Sequence, residues 1–389
     1  MKIVHICLAG SYNDNWGYQD NLIPKYHYKQ GHDVTVITSI FVNKKDSQSY
    51  SKVTPGSYYL ENGVKVIRIP FMYSPFSNII EKLRIYKGLN EKLEKENPEF
   101  IFIHGAQFMS IRAVVNYLKK NKNSSIKVVV DNHADFSNSA RNFLSKNILH
   151  KIIWKRCLHL IEPYTTKFYG VLPARADFLI DVYKVPRNKV ELLVMGADDE
   201  KLEESKSSEV KESIRNKLGI EKDDFLIITG GKIDNAKKQT LLLMEAVKDI
   251  PNKKVKLIVF GSVIAELQDE INRLVDKSKI QYIGWIESED SYKYFSAADL
   301  VIFPGRHSVF WEQVVAQGIP MIVKWWEGTT HIDLGGNVKF LQRDSAEEIK
   351  ECICNLLNDK EAYNRMLQRA NDKSKNQFLY SNIAKKSLL

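Results

Sequence analysis

The chemistry legible in this sequence concentrates around Glu312. An apolar strand pattern, LVIF, ends at Phe303 and meets Pro304-Gly305 and a short polar loop. A helix is expected to start near Val309, carry Glu312 in its first turn, and close at Gly318-Ile319-Pro320 before another strand. Such an opening offers unpaired N–H groups and the positive end of a helix dipole, which attract phosphate. A carboxylate one turn in is badly placed for phosphate and well placed to accept from ribose hydroxyls. Taken alone, the fragment is also an ordinary strand–loop–helix unit with a surface glutamate.

Other segments point the same way. In TGGKIDNAKKQTLLLMEAV, Gly230-Gly231, Lys232 and Lys238 follow a strand and open a helix, as a pyrophosphate clamp would. Fixed ammonium groups there would stabilise the charge that develops on a departing nucleoside diphosphate. Lys237 adjoins Lys238 and either could serve; exposed lysines in a Lys-rich loop are the bland alternative. His133 follows the strand KVVVD directly, at the carboxyl edge of a sheet, where it can meet a sugar hydroxyl or a phosphate. His104, at the end of FIFIH, is a weaker case of the same placement. After the first strand, Gly10 and Gly17 lie in a long loop ahead of a helix. Gly17 would let a ligand approach the backbone, or would merely permit a turn. The spacing is not GxGxxG, and no acidic residue ends the second strand, which disfavours a nicotinamide dinucleotide.

No paired carboxylates, nucleophile elbow or metal-ligand spacing stands out. Cys7, Cys157, Cys352 and Cys354 fit neither zinc nor a disulfide framework, and the chain reads as cytosolic and reduced. A reaction without a cofactor or metal is expected, with lysines and helix dipoles in the metal's place. The opening MKIVHICLAG has neither the basic leader nor the apolar stretch of a signal peptide.

These residues need a scaffold, and 389 residues predict two domains. Short apolar runs (KIVHICL, DVTVIT, VKVIRI, FIFIH, KVVVD, YGVLP, then FLIITG, KLIVFG, IQYIG, LVIF, MIVK) alternate with amphipathic segments such as IIEKLRIYKGLNEKLEK. That alternation predicts an α/β chain with a parallel, doubly wound sheet in each half. Ligands of such folds bind at the carboxyl ends of the strands. A boundary is expected near Met195–Ser205, giving domains 1–198 and 199–372, with 373–389 crossing back to the first. The net charge of +10 is uneven: residues 1–200 hold 28 Lys/Arg against 19 Asp/Glu, and residues 201–389 hold 29 against 28. Within the basic excess, FLSKNILHKIIWKRCLHLI mixes Phe143, Ile148, Ile152 and Ile153 with Lys146, Lys151, Lys155 and Arg156. A basic amphipathic helix suits an anionic membrane surface or an acidic ligand, or is simply a solvated face. No nucleic-acid motif accompanies the charge.

Together, in this order, the segments resemble the GT-B glycosyltransferases, and within them the retaining family 4 type. GHDVTVIT and NGVKVIRIP are similar to that family's second and third strands. GGKIDNAKKQTLLLMEAV resembles its Gly-Arg…Lys-Gly donor-phosphate motif, with Lys232 at the Arg position and Lys238 at the Lys position. YIGWIESEDSYKYFSAADLVIFP resembles the unit whose residues after Gly284 border the nucleotide base, and FLYSNIAKKSLL the closing helix. The family carries two glutamates eight positions apart. Glu312 matches the second, while the first position holds Pro304, leaving His307 and Ser308 to contact the sugar.

The resemblance implies two Rossmann-like domains facing a central cleft and a metal-independent transfer of sugar from a nucleoside diphosphate, UDP above all. His133, Lys232, Lys238 and Glu312 would carry catalysis. Gly17, Gly231, Trp285, Ile286, His307, Ser308 and Val309 would bind the donor. In the family's proposed mechanism the leaving phosphate helps deprotonate the acceptor on the same face, so no protein nucleophile is needed. The expected acceptor is a glycan or a lipid-linked hydroxyl in surface polysaccharide assembly, at the inner face of the cell membrane. A nucleotide-sugar 2-epimerase of the same fold and an inactive scaffold are the alternatives.

Overall fold

The computed structural model describes residues 1–44, 49–122, 125–140 and 142–389. They form two compact units: Met1–Val194 with Ile383–Leu389, and Met195–Asn382. The return to the first unit thus comes at Ile383, within the helix Tyr380–Ser387.

The first unit contains β1 (Lys2–Cys7), β2 (Asp33–Ser39), β3 (Phe41–Asn43), β4 (Tyr50–Lys52), β5 (Gly56–Tyr59), β6 (Lys65–Ile69), β7 (Phe100–His104), β8 (Lys127–Asn132), β9 (Lys167–Gly170) and β10 (Val190–Leu192). Eight of these make one sheet in the order β10-β9-β8-β7-β1-β2-β6-β5, parallel except where β5 turns back on β6; β3 and β4 pair separately. The second unit holds β11 (Phe225–Gly230), β12 (Val255–Phe260), β13 (Ile280–Tyr282), β14 (Leu300–Phe303), β15 (Met321–Lys324) and β16 (Val338–Leu341). They form a wholly parallel sheet, β13-β12-β11-β14-β15-β16. Both sheets match the doubly wound expectation. The short strands β3, β4, β5, β10 and β16 lack the long apolar runs that reveal the others.

Period-2 alternation sorts the residues of the first sheet between its faces. Val4, Ile6, Ile101, Ile103, Val128 and Val130 enter one core with Leu93, Val114, Leu118 and Leu158. Each such side chain contributes about 1.5–3 kcal/mol when fully buried. The alternate positions His5, Phe102, His104 and Asp131 therefore belong to the opposite face. There the helix Gln19–Lys29 supplies His27, whose ring approaches that of His5 at 5.1 Å between centroids. In the second unit, Ile227, Leu257, Val259, Leu300, Ile302 and Ile322 pack with Leu243, Met244, Ile349 and Ile353.

Two helical segments depart from expectation. IIEKLRIYKGLNEKLEK is broken into helices Ser77–Leu83 and Leu89–Glu96, with Arg84 at φ 55° and Gly88 at φ 82° between them. The left-handed backbone at these residues cannot continue a helix. The basic segment forms a π-helix, Leu144–Trp154, that runs directly into the α-helix Lys155–Ile161.

Candidate active site

The carboxyl ends of β11, β12 and β14 enclose a pocket in the second unit. Gly231, Lys232, Lys237, Thr240, Arg306 and Ser308 are among its lining residues. Glycine is needed where the strand ends converge: a Cβ on Gly230 would stand 2.1 Å from the Phe260 ring, and one on Gly261 would stand 1.8 Å from the Gly231 carbonyl oxygen. Gly231 itself has φ +120°. The Gly231 N–H donates to Phe260, and the Gly261 N–H donates to Gly284 at 2.7 Å, so three turns lie side by side at the sheet edge. Trp285 and Ile286 follow directly; Trp285 is 62% exposed, a free aromatic face beside these turns.

Of the lysines, Lys232 and Lys237 line the pocket, whereas Lys238 caps the helix Gln239–Lys248, is exposed, and interacts with Asp344. Burial lowers the Lys237 pKa; Asp234 opposes this and Lys232 adds to it. An ammonium group so placed gains from an incoming anion. Arg306 is a third pocket cation, and neither the helix opening nor the family resemblance singles it out in the sequence.

The helix Phe310–Gln317 begins as expected, with Val309 as N-cap and Gly318 closing it at φ 76°. Glu312 is not a surface residue; it is fully buried. Its Oε1 accepts from His307 Nε2 and from His331 Nε2, each at 2.8 Å. Burial pushes this carboxyl up, but the two histidines prevail and hold it down to about 2. Its Oε2 and the Nδ1 of His331 are buried without partners.

The first unit repeats this arrangement. Asp131 Oδ2 lies 3.0 Å from His104 Nδ1 and 3.1 Å from His133 Nε2. Burial raises the Asp131 carboxyl, yet His133 and His104 together hold it well below the usual carboxylate range. The His133 side chain is 41% exposed, while His104 and Asp131 are buried. Asp20, in the first turn of the helix that follows the Gly17 loop, interacts with His104, His133 and Asp131, bringing that loop's end to the same corner. Gly17 has no positive φ, and the space its Cβ would take is open. No turn therefore demands glycine there. In both clusters the nitrogen and oxygen atoms lie within 4.8 Å of one another, a spacing met by hydrogen bonds and also by a shared cation.

In the π-helical segment, Phe143, Leu144, Ile148 and Ile152 are exposed together with Lys151 and Arg156. The Lys146 ammonium lies 4.9 Å from the centre of the exposed Phe136 ring. Among the described residues no helix is long and apolar enough to cross a membrane.

Residues 210–373 match the family model of the glycosyl transferases group 1. An uncharacterized glycosyltransferase of Methanocaldococcus jannaschii is 22% identical over 177 residues, 43% of this chain and 45% of that protein, so the match spans about half the relative's length. The alpha-monoglucosyldiacylglycerol synthase of Streptococcus pneumoniae is 24% identical over 307 residues, 76% of this chain and 64% of that protein. Among solved structures, Anabaena HepE in complex with UDP superposes with a TM-score of 0.66 at 15% identity, covering 100% of this chain and 98% of that one. The chain therefore has the two-sheet fold of the GT-B glycosyltransferases, and its residues 210–373 are similar to the glycosyl transferases group 1.

Proposed function

We propose that the chain is a retaining, metal-independent glycosyltransferase that takes a sugar from a UDP-sugar. The observation that carries this reading is the pocket of the second unit, where Lys232, Lys237 and Arg306 meet Gly231 and the helix opening at Ser308-Val309. Such a site holds a diphosphate through ammonium, guanidinium and backbone N–H groups. It stabilises the charge that grows as the glycosidic phosphate departs. Trp285 and Ile286 take the base. Glu312 accepts from a ribose hydroxyl through Oε2, the oxygen its histidine partners leave unpaired. His307 and Ser308 contact the sugar. Lys237 takes the clamp role that Lys238 shares in the sequence pattern. In the first unit, His133 and the backbone at Gly17 address donor sugar or acceptor.

The acceptor is a lipid-linked or glycan hydroxyl at an anionic membrane surface. Support comes from the exposed apolar and basic side chains of residues 143–156 and from relatives named as glucosyldiacylglycerol synthases. Neutralising Lys146, Lys151, Lys155 and Arg156 together should weaken sedimentation with anionic liposomes; unchanged sedimentation removes the membrane assignment alone.

Calorimetry with UDP tests the donor site. The expected result is binding that Lys232→Ala and Lys237→Ala each weaken, and an absence of UDP binding to the unaltered protein would defeat the reading. Incubation of UDP-N-acetylhexosamine without acceptor separates transfer from 2-epimerisation, since only an epimerase yields the 2-epimer.

A further inference from the structure

Beneath the Asp131 cluster, three more contacts extend the hydrogen bonding across the buried face of the first sheet. His104 Nε2 lies 2.9 Å from His5 Nδ1, and His5 Nε2 lies 3.0 Å from His27 Nδ1. His27 Nε2 lies 2.9 Å from the Ala384 carbonyl oxygen. His5, His27, His104 and Asp131 are all buried.

The proton count of this chain is constrained. A carbonyl oxygen only accepts, and so does a carboxylate. Between Ala384 and Asp131 there are four contacts, and each needs one proton. Three neutral imidazoles supply only three. Ser387 Oγ, 3.1 Å from His27, does not make up the difference, because its proton goes to the Ala384 carbonyl at 2.7 Å. One excess proton must therefore reside in the chain. Burial lowers the pKa of both His5 and His27, the latter to about 3, so neither holds the charge. The place beside Asp131 remains.

We propose that Ala384, His27 and His5 form a directional relay that fixes His104 as an imidazolium against Asp131, leaving His133 neutral with its Nδ1 unprotonated. His133 Nε2 then donates to Asp131, and Nδ1 accepts from a substrate hydroxyl. His133 thus serves as a hydroxyl acceptor or base, not as a phosphate-binding cation. His5 and His27 are positioning residues. That the ligand is a sugar or acceptor hydroxyl rests on the transferase reading, whereas the protonation pattern does not. The other ionisable groups facing the relay are Cys7, Asp20 and His32. Burial raises the Cys7 thiol and the Asp20 carboxyl, although His104 and His133 oppose it at Asp20, and the His32 ring packs edge-on against His27.

The test is long-range 1H–15N correlation on the full chain labelled at histidine, from pH 6 to 9, with signals assigned through single His→Gln variants. The expected spectrum shows His5, His27 and His133 as neutral Nε2–H tautomers and His104 protonated on both nitrogens throughout. In His27→Leu the constraint at Ala384 is lost. His5 then reverses its tautomer and His104 becomes the neutral Nδ1–H form. A neutral His104 in the unaltered protein would overturn the proposal, as would one equivalent of divalent metal in the purified protein, standing where the proton should be. If His27→Leu does not fold, the unaltered spectrum still decides. Failure of UDP binding alongside the expected spectrum would strike the transferase reading and leave the relay intact.

Discussion

Each unit of this molecule sets two histidine nitrogens on a single oxygen of a buried carboxylate, and the two clusters end differently. Around Asp131, the network continues inward through His104, His5 and His27 to a main-chain carbonyl, and one histidine, His133, faces outward. Around Glu312, Oε2 and His331 Nδ1 are buried without hydrogen-bond partners, as Asp131 Oδ1 is in the first cluster. Buried polar atoms left unpaired cost about 1–3 kcal/mol each, so the second cluster keeps unspent hydrogen-bonding capacity close to the cationic pocket. The first cluster leads into a buried chain of imidazoles; the second leaves both a carboxylate oxygen and an imidazole nitrogen for a ligand.

Removing the shared carboxylate should have the largest effect on folding. Glu312→Ala leaves His307 and His331 facing a void and should destabilise the second unit by about 3–5 kcal/mol, seen as a lower urea midpoint. A loss under 1 kcal/mol would mean that the histidines do not depend on this carboxylate. Next come the pocket lysines. Lys237→Ala should lower turnover by about 100-fold, the scale of losing one transition-state charge contact, and Lys238→Ala by only a few-fold. The reverse order would return the clamp role to Lys238.

Acid should separate the two units. Folded His27 has a pKa of about 3 against an ordinary value of 6.5. The unfolded chain therefore binds that proton first, stability rises with pH, and the first unit should weaken as pH falls below about 6.5. Glu312 is held at about 2 against an ordinary 4.5, so its contribution is complete above 4.5 and is lost as pH falls toward 2. Hydrogen exchange should show β1 and the helix Gln19–Lys29 losing protection at pH 5.5 while the helix Phe310–Gln317 keeps it. Equal loss in both would remove the distinction. The smallest effect is expected at Gly17→Ala, about 0.5 kcal/mol or less in stability, because its Cβ meets nothing. A raised KM for donor with this variant would place a ligand against that backbone.

Much of the fold is legible in the sequence. Apolar runs bounded by glycine and polar residues marked the long strands, and Gly318 after FWEQVVAQ marked a helix end because a left-handed C-cap favours glycine. Short strands such as Gly56–Tyr59, which pairs antiparallel beside β6, had no comparable signal. His307 is a candidate through its place before Glu312, whereas Arg306, one exposed cation in a loop, has no periodicity to set it apart.

Strand alternation alone puts His5 on one face of β1 and His104 and Asp131 at the ends of neighbouring strands, since successive side chains point to opposite faces. Tertiary structure decided what meets them. Ala384 reaches His27 across 357 positions, and His331 reaches Glu312 across 19. Likewise Lys237 lines the pocket and Lys238 does not, because the chain turns between them as it enters the helix Gln239–Lys248. Local pattern assigns a face to a residue; partners distant in the chain are chosen by packing, which no local period records.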